Sequence, residues 1–162
     1  MTNALYIKTC HIIIEVFSGV LLLLSLVLCV VFAIGVNGDI PTHFDVMGNP
    51  TSYGSPWTAL ILPVTHLICN LTISGIMHFM PIASWNMPGK VTDNNRPYIY
   101  NDAVWMLVIC HIFLSAIALV SVICTFLFRR HLGAICTIMM VALIASIVFF
   151  AVKSYKDAKK YA

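Results

Sequence analysis

The chain has 162 residues, of which 60% are apolar and 9% charged, against about 25% charged in an ordinary soluble domain. A water-soluble globule of this composition would expose apolar patches large enough to drive association, and disorder needs the opposite balance of low hydrophobicity and high net charge. The formal charge of +3 sits in short clusters beside apolar runs, not along a basic stripe with interleaved aromatics, so nucleic acid is not an expected partner.

Four apolar segments follow in chain order, at about residues 12–36, 57–79, 103–127 and 132–152. Each can cross a hydrocarbon core of about 30 Å, which takes around 20 helical residues. Glu15 is the one charged side chain inside them. Backbone groups in hydrocarbon must bond within their own segment, and these runs are too long for barrel strands, so the expected fold is all-α. It is a single domain over residues 1–162, an integral membrane bundle of four transmembrane helices. The first span is far longer than the roughly 7 to 15 apolar residues of a secretory signal core and reads as a retained anchor. The six cysteines, Cys10, Cys29, Cys69, Cys110, Cys124 and Cys136, fall in or against the spans and read as small buried thiols.

Four spans put both termini on one side. That side carries Lys8, Lys90, Arg96, Lys153, Lys156, Lys159 and Lys160, against Arg129 and Arg130 on the other, which places both termini in the cytoplasm. The turn around Arg129, Arg130 and His131 is short enough to make the third and fourth helices antiparallel neighbours. The lysine-rich tail would meet anionic headgroups.

Between the first two spans lie 20 polar and turn-forming residues, Asn37 to Pro56, longer than most connections in compact domains. Ile40, Phe44, Val46, Met47 and Tyr53 give this loop something to pack, while Pro41, Gly48, Pro50, Gly54 and Pro56 restrict or permit specific turns. Asp45 can close an Asx-type turn toward Gly48. An ordered external cap is expected. The second loop, Met80 to Asp102, carries a helix-start signal at Thr92, Asp93 and Asn94, with Pro97 near a first turn. It reads as an amphipathic segment on the cytoplasmic surface leading into the third span.

The external loop, with Ile40, Pro41, His43, Phe44 and Asp45, then Gly48 and Pro50, then Tyr53, Gly54 and Ser55, resembles the signature of a bacterial domain of unknown function that begins the SdpI-type immunity proteins. Asn86, Pro88, Lys90, Thr92 and Asn94 of the second loop, followed by Tyr98 or Tyr100, resemble that family's segment after its second helix. Together the motifs cover about residues 12 to 105. The chain departs from the family pattern at Pro56, where a lysine often follows the serine, and in having four spans where SdpI-type proteins have more. The resemblance implies a multi-pass protein of the bacterial plasma membrane, some relatives of which protect a producing cell from a secreted antimicrobial peptide or signal its presence. The expected binding surface is then the cap, through Pro41, His43, Phe44, Asp45, Gly48 and Tyr53. The expected partners are the bilayer, an antimicrobial peptide or another membrane protein, and a second copy of the chain.

Inside the spans the polar residues are periodic. Lys8, His11, Glu15, Ser18, Leu22, Ser25 and Cys29 recur at spacings of three and four, and His66, Asn70, Ser74 and His78 recur every four. Such stripes should face protein, since lipid satisfies neither donors nor acceptors. His111, Ser115, Ala118, Val122 and Thr125 form a milder stripe in the third span. Glu15 and His78 fall at comparable depth near the cytoplasmic ends of their helices. His11, Glu15, His78 and His111 could carry protons or hold a transition metal, and a transporter or transporter subunit using the seam of Glu15, His66, Asn70 and His78 is the alternative function. The plainer reading of the same seam is helix–helix glue. His43 with Asp45 supplies two metal-type ligands, which do not make a site. There is no Gly-x-Ser-x-Gly and no phosphate-cradling glycine loop, and Asp39, Asp45, Asp93 and Asp102 are scattered over opposite faces. No motif therefore supports an enzyme, no cofactor is expected, and a metalloenzyme stands only as a third alternative.

Overall fold

A computed structural model describes residues 3–45, 47–128 and 132–161. Four helices are long and apolar enough to cross a bilayer. Helix α1 spans Thr9–Gly35, α2 Ile61–Phe79, α3 Arg96–Ile123 and α4 Leu132–Lys160. A 3-10 turn, Pro56–Leu60, leads into α2, and a π turn, Cys124–Phe128, follows α3. The expected Arg129, Arg130 and His131 turn lies outside the described residues. Strands β1 (Ile40–Phe44) and β2 (Pro50–Gly54) pair as an antiparallel hairpin between α1 and α2.

Helix α3 is the axis of the bundle, in contact with α1, α2 and α4. Half of its apolar run is buried, against 6% of that of α4, which packs against α3 alone among the helices that make substantial contact. The periodic residues of α1 turn inward: His11, Ser18, Leu22, Ser25, Cys29 and Ala33 are all buried. The opposite face, with Ile13, Val16, Val20, Leu23, Val27 and Ile34, is exposed, as is the outer face of α4 from Ile138 to Val152. Continuous apolar faces of this extent belong against lipid. Cys10 and Cys69 are exposed on such faces, so the reading of all six cysteines as buried holds fully only for Cys29 and Cys124.

Two helices are longer than the apolar runs suggested. Helix α3 starts at Arg96 instead of near residue 103, because Thr92 and Asn95 cap it reciprocally. The Thr92 N–H donates to Asn95 Oδ1 at 2.7 Å, and the Asn95 N–H donates to Thr92 Oγ1 at 3.3 Å. Pro97 sits in the first turn, where its missing N–H costs nothing. The second loop therefore runs directly into the spanning helix, with no separate amphipathic segment. Helix α4 continues to Lys160, because its last turns pack on α3 and the loop. There the basic tail is ordered, with Lys153 bonded to Asp157 one turn on at 3.0 Å.

The end of the bundle that holds these lysines is laced by two asparagines. Asn3 donates through Nδ2 to the carbonyls of Met77 (2.8 Å) and Met80 (2.6 Å) and accepts from the Ile82 N–H (2.8 Å), so the N-terminal segment closes the last turn of α2. Asn95, with none of its surface exposed, donates to the carbonyls of Lys90 and Ala158, both at 3.0 Å. Beside it, Gly89 has a φ of +140°, and a Cβ there would lie 2.9 Å from the Ala158 Cβ. Only glycine lets the loop approach α4 this closely.

Asn95→Ala removes the cap of α3 and leaves the Lys90 and Ala158 carbonyls without their partner. Unfolding of the detergent-solubilised protein should then be destabilised by about 2 kcal/mol. Asn94→Ala, at an exposed neighbour, should have little effect in the same titration.

Candidate functional site

Two assemblies of polar groups stand out, one capping the bundle and one inside it. The cap is the hairpin. Its register pairs Ile40 with Gly54, Pro41 with Tyr53, His43 with Ser52 and Phe44 with Pro50, with irregularities either side of His43. The turn is built on Asp45. Its Oδ1 accepts from the N–H groups of Met47 (2.9 Å) and Asn49 (2.8 Å), and its Oδ2 accepts from Asn49 Nδ2 (3.0 Å). The backbone closes the same turn, with the Asp45 N–H donating to the Asn49 carbonyl and the Gly48 N–H to the Asp45 carbonyl, both at 2.9 Å. Gly48 supplies the required positive φ of 85°. At its base the hairpin is anchored by Ile40, 1% exposed, which packs with Cys29, Ala33, Val122 and Phe126.

The cap residues divide by role. Pro41 and Gly48 are buried, Phe44 and Asp45 half-buried, and His43 and Tyr53 exposed. Met47 beside the turn and Trp57 at the foot of α2 are exposed as well. His43 shares a 2.7 Å hydrogen bond between Nδ1 and Ser52 Oγ, while Asp45 is committed to its turn. These two are therefore separate structural units. Beneath β1, a cavity of about 670 Å³ opens between the hairpin and the neighbouring ends of α2, α3 and α4, with Phe44, Leu62, Thr65, Thr125 and Cys136 among its walls.

Inside the bundle the stripes of α1, α2 and α3 meet. Asn70 Nδ2 donates to the His66 carbonyl at 3.0 Å, which leaves Asn70 Oδ1 to accept from His111 Nδ1. Ser18 Oγ donates to the His111 carbonyl at 2.7 Å and lies 2.7 Å from Ser115 Oγ. One turn toward the lysine-rich end, Glu15 accepts from Ser74 through Oε1 and faces His78 Nε2 at 2.8 Å through Oε2. His66 bonds the Leu62 carbonyl at 2.8 Å. Two hydrogen-bonded groups thus lie about one turn apart, Glu15 with Ser74 and the exposed His78, and Asn70 with His111, Ser18 and Ser115, and His111 Nε2 has no hydrogen-bond partner among the described residues. His11 belongs to neither: its Nδ1 accepts the Lys8 N–H at 3.1 Å, and its ring stands edge-on to Trp105 with centroids 4.5 Å apart. Among the described residues no three of His, Cys, Asp and Glu converge as metal ligands.

The second-loop motif is divided: Asn86 and Pro88 line a pocket between the loop, α3 and α4, and Thr92 with the Lys90 backbone joins the Asn95 clamp. Asn86, Pro88, Lys90 and Asn94 are exposed. Sequence reasoning missed Asn3, Asn95 and a half-exposed ion cluster, in which Lys153 Nζ donates to Asp102 Oδ1 and Asp157 Oδ2. Asp102 is 2% exposed. The available signals were the Thr-x-x-Asn spacing at Thr92 and an acid placed just before an apolar run.

The family described as Domain of unknown function (DUF1648) matches residues 20–67, from within α1 through the hairpin and into α2. The six cap residues lie inside the matched stretch, and the second-loop motif lies beyond it. No curated protein and no solved structure matches the chain.

Two outcomes follow from these networks. Asn70→Leu strips His111 of its partner inside the bundle, and should cost about 1 to 2 kcal/mol in a denaturant titration in detergent. In the cap, the Asn49 side chain and then its backbone N–H hold the Asp45 carboxyl below the usual aspartate range. A lowered value in the folded hairpin means that the turn's contribution is present above the ordinary aspartate range and is lost as pH falls through the lowered value. The Met47 and Asn49 amide signals in NMR, whose N–H groups donate to Asp45, should therefore report an intact turn at neutral and mildly acidic pH and a loosened one in strong acid. Asp45→Asn should remove that dependence.

Proposed function

We propose that this chain is a small multi-pass protein of the bacterial plasma membrane, of the SdpI-like type, with both termini cytoplasmic and the hairpin outside. In this reading it binds a secreted antimicrobial peptide or a membrane partner at the cap and serves immunity or signalling. The observation that carries the reading is the hairpin itself. It is closed by five hydrogen bonds at Asp45 and Asn49 and pinned by Ile40, and it holds His43, Met47 and Tyr53 outward above a cavity. A loop that only joined two helices would need none of this order. Rigid presentation lowers the entropy cost of capturing a partner, and exposed aromatic and imidazole groups suit both a peptide and the headgroup level. The family match over residues 20–67 supports the same region as the distinctive one. The excess of lysine and arginine at the opposite end supports the orientation.

The test is a pair of substitutions that leave the turn intact. Cells expressing His43→Ala with Tyr53→Ala should tolerate at least about tenfold less of the cognate peptide than cells expressing the parent chain, at equal membrane levels. Equal tolerance would defeat the reading.

A second reading, a transporter or transporter subunit, draws on one observation. Glu15 and His78 pair at the exposed end of the seam, one turn from the buried Asn70 and His111 pair. Glu15→Gln should then slow proton-coupled uptake in vesicles. An unchanged rate, or a dry interface around Glu15, leaves the seam as packing.

A further inference from the structure

At the lysine-rich end, far from the hairpin, α2 and α4 stand apart on either side of α3, and the loop after α2 closes over the gap. The result is a pocket of about 530 Å³. Its walls are overwhelmingly apolar, with Met80, Trp85, Met87, Met106, Leu107 and Phe150 among them, and Asp102 and Ser154 also line it. Both are buried, at 2% and 4% exposed. Asp102 Oδ2 and Ser154 Oγ make no hydrogen bond, although the other carboxylate oxygen, Oδ1, accepts from Lys153. An unmet carboxylate oxygen in an apolar setting is costly. The charge is unbalanced in the same direction, since Asp102 and Asp157 share one lysine ammonium.

A complement to this pocket must supply N–H donors and a positive charge to the two unmet oxygens, and a hydrocarbon surface to the remaining walls. We propose that the pocket holds an amphiphile bearing a primary ammonium group on an apolar body, with the ammonium donating to Asp102 Oδ2 and Ser154 Oγ. An ethanolamine lipid and a free long-chain amine share that chemistry. The pocket lies between the end of α2 and the lysine-bearing end of α4, where a positively charged helix end suits the headgroup level of a bilayer. The site is independent of the cap reading, as it shares no residue with the hairpin.

The experiment uses the full chain in a neutral detergent and native mass spectrometry of retained probe. The probes are dodecylammonium, dodecanol, dioleoylphosphatidylethanolamine and dioleoylphosphatidylcholine, whose quaternary nitrogen cannot donate a hydrogen bond. Dodecylammonium should be retained at least about tenfold better than dodecanol, the ratio expected of a charge-assisted hydrogen bond. Preference for the ethanolamine over the choline lipid assigns the occupant to the bilayer, and retention of dodecylammonium alone assigns it to a free amine. Asp102→Asn should remove the preference. Ser154→Ala leaves the ion cluster intact and should weaken retention about threefold, and Met106→Trp should block it by filling the pocket, so these two keep the test decisive if Asp102→Asn does not fold. Equal retention of dodecylammonium and dodecanol, no retention of any probe, or retention unchanged in Ser154→Ala and Met106→Trp overturns the proposal.

Discussion

Polar side chains in the middle of this bundle must find their partners within the protein, because the hydrocarbon around four such helices offers neither donors nor acceptors. That constraint decides how the helices turn. On α1 it brings His11, Ser18 and Ser25 inward with Leu22 and Cys29. On α2 it brings His66 and Asn70, and on α3 His111 and Ser115. The rotation of three helices is thereby set together, since Ser18, Asn70, His111 and Ser115 bond to one another. Individual bonds of this kind contribute on the order of 0.6 kcal/mol within a membrane. Their larger effect is exclusion, because any other rotation would leave several polar groups facing lipid.

Helix α4 is held differently. It has no polar stripe of that sort among its described residues, and only 6% of its apolar run is buried. What locates it is the lysine-rich end: Lys153 reaches Asp102, Asn95 reaches the Ala158 carbonyl, and Gly89 lets the second loop lie against the same turn. Tyr98 and Tyr161 stack there as well, with centroids 4.0 Å apart. The two ends of the molecule consequently have distinct characters. One is a hydrogen-bonded clasp of loop, chain terminus and helix ends. The other carries a hairpin standing on a small apolar cluster around Ile40 and Phe126.

The two proposed sites occupy those two ends and call on different chemistry. The hairpin offers exposed imidazole, thioether and phenol groups on a backbone fixed by its own turn. The pocket beside α3 offers buried oxygens with no donor in reach, inside apolar walls. Between them lie the polar groups of α1, α2 and α3, which hold the helices in register, with Glu15 and His78 at their exposed end.

Much of this was legible in the residues alone. Charge depletion and run length identify four helices, and spacings of three and four identify which face of α1 and α2 turns inward, because a helix repeats every 3.6 residues whatever it packs against. The Asp45 turn is local chemistry too, complete within five residues. What tertiary structure alone decided lies where partners are far apart in sequence. Nothing near Asp102 foretells Lys153, nothing near Asn95 foretells the Ala158 carbonyl, and nothing near His11 foretells its edge-on contact with Trp105. Periodicity specifies the face of a helix but not its neighbour. It specifies helix ends poorly as well, since α3 begins at Arg96 through a cap in the polar loop and α4 reaches Lys160 through contacts that form only once the bundle has closed.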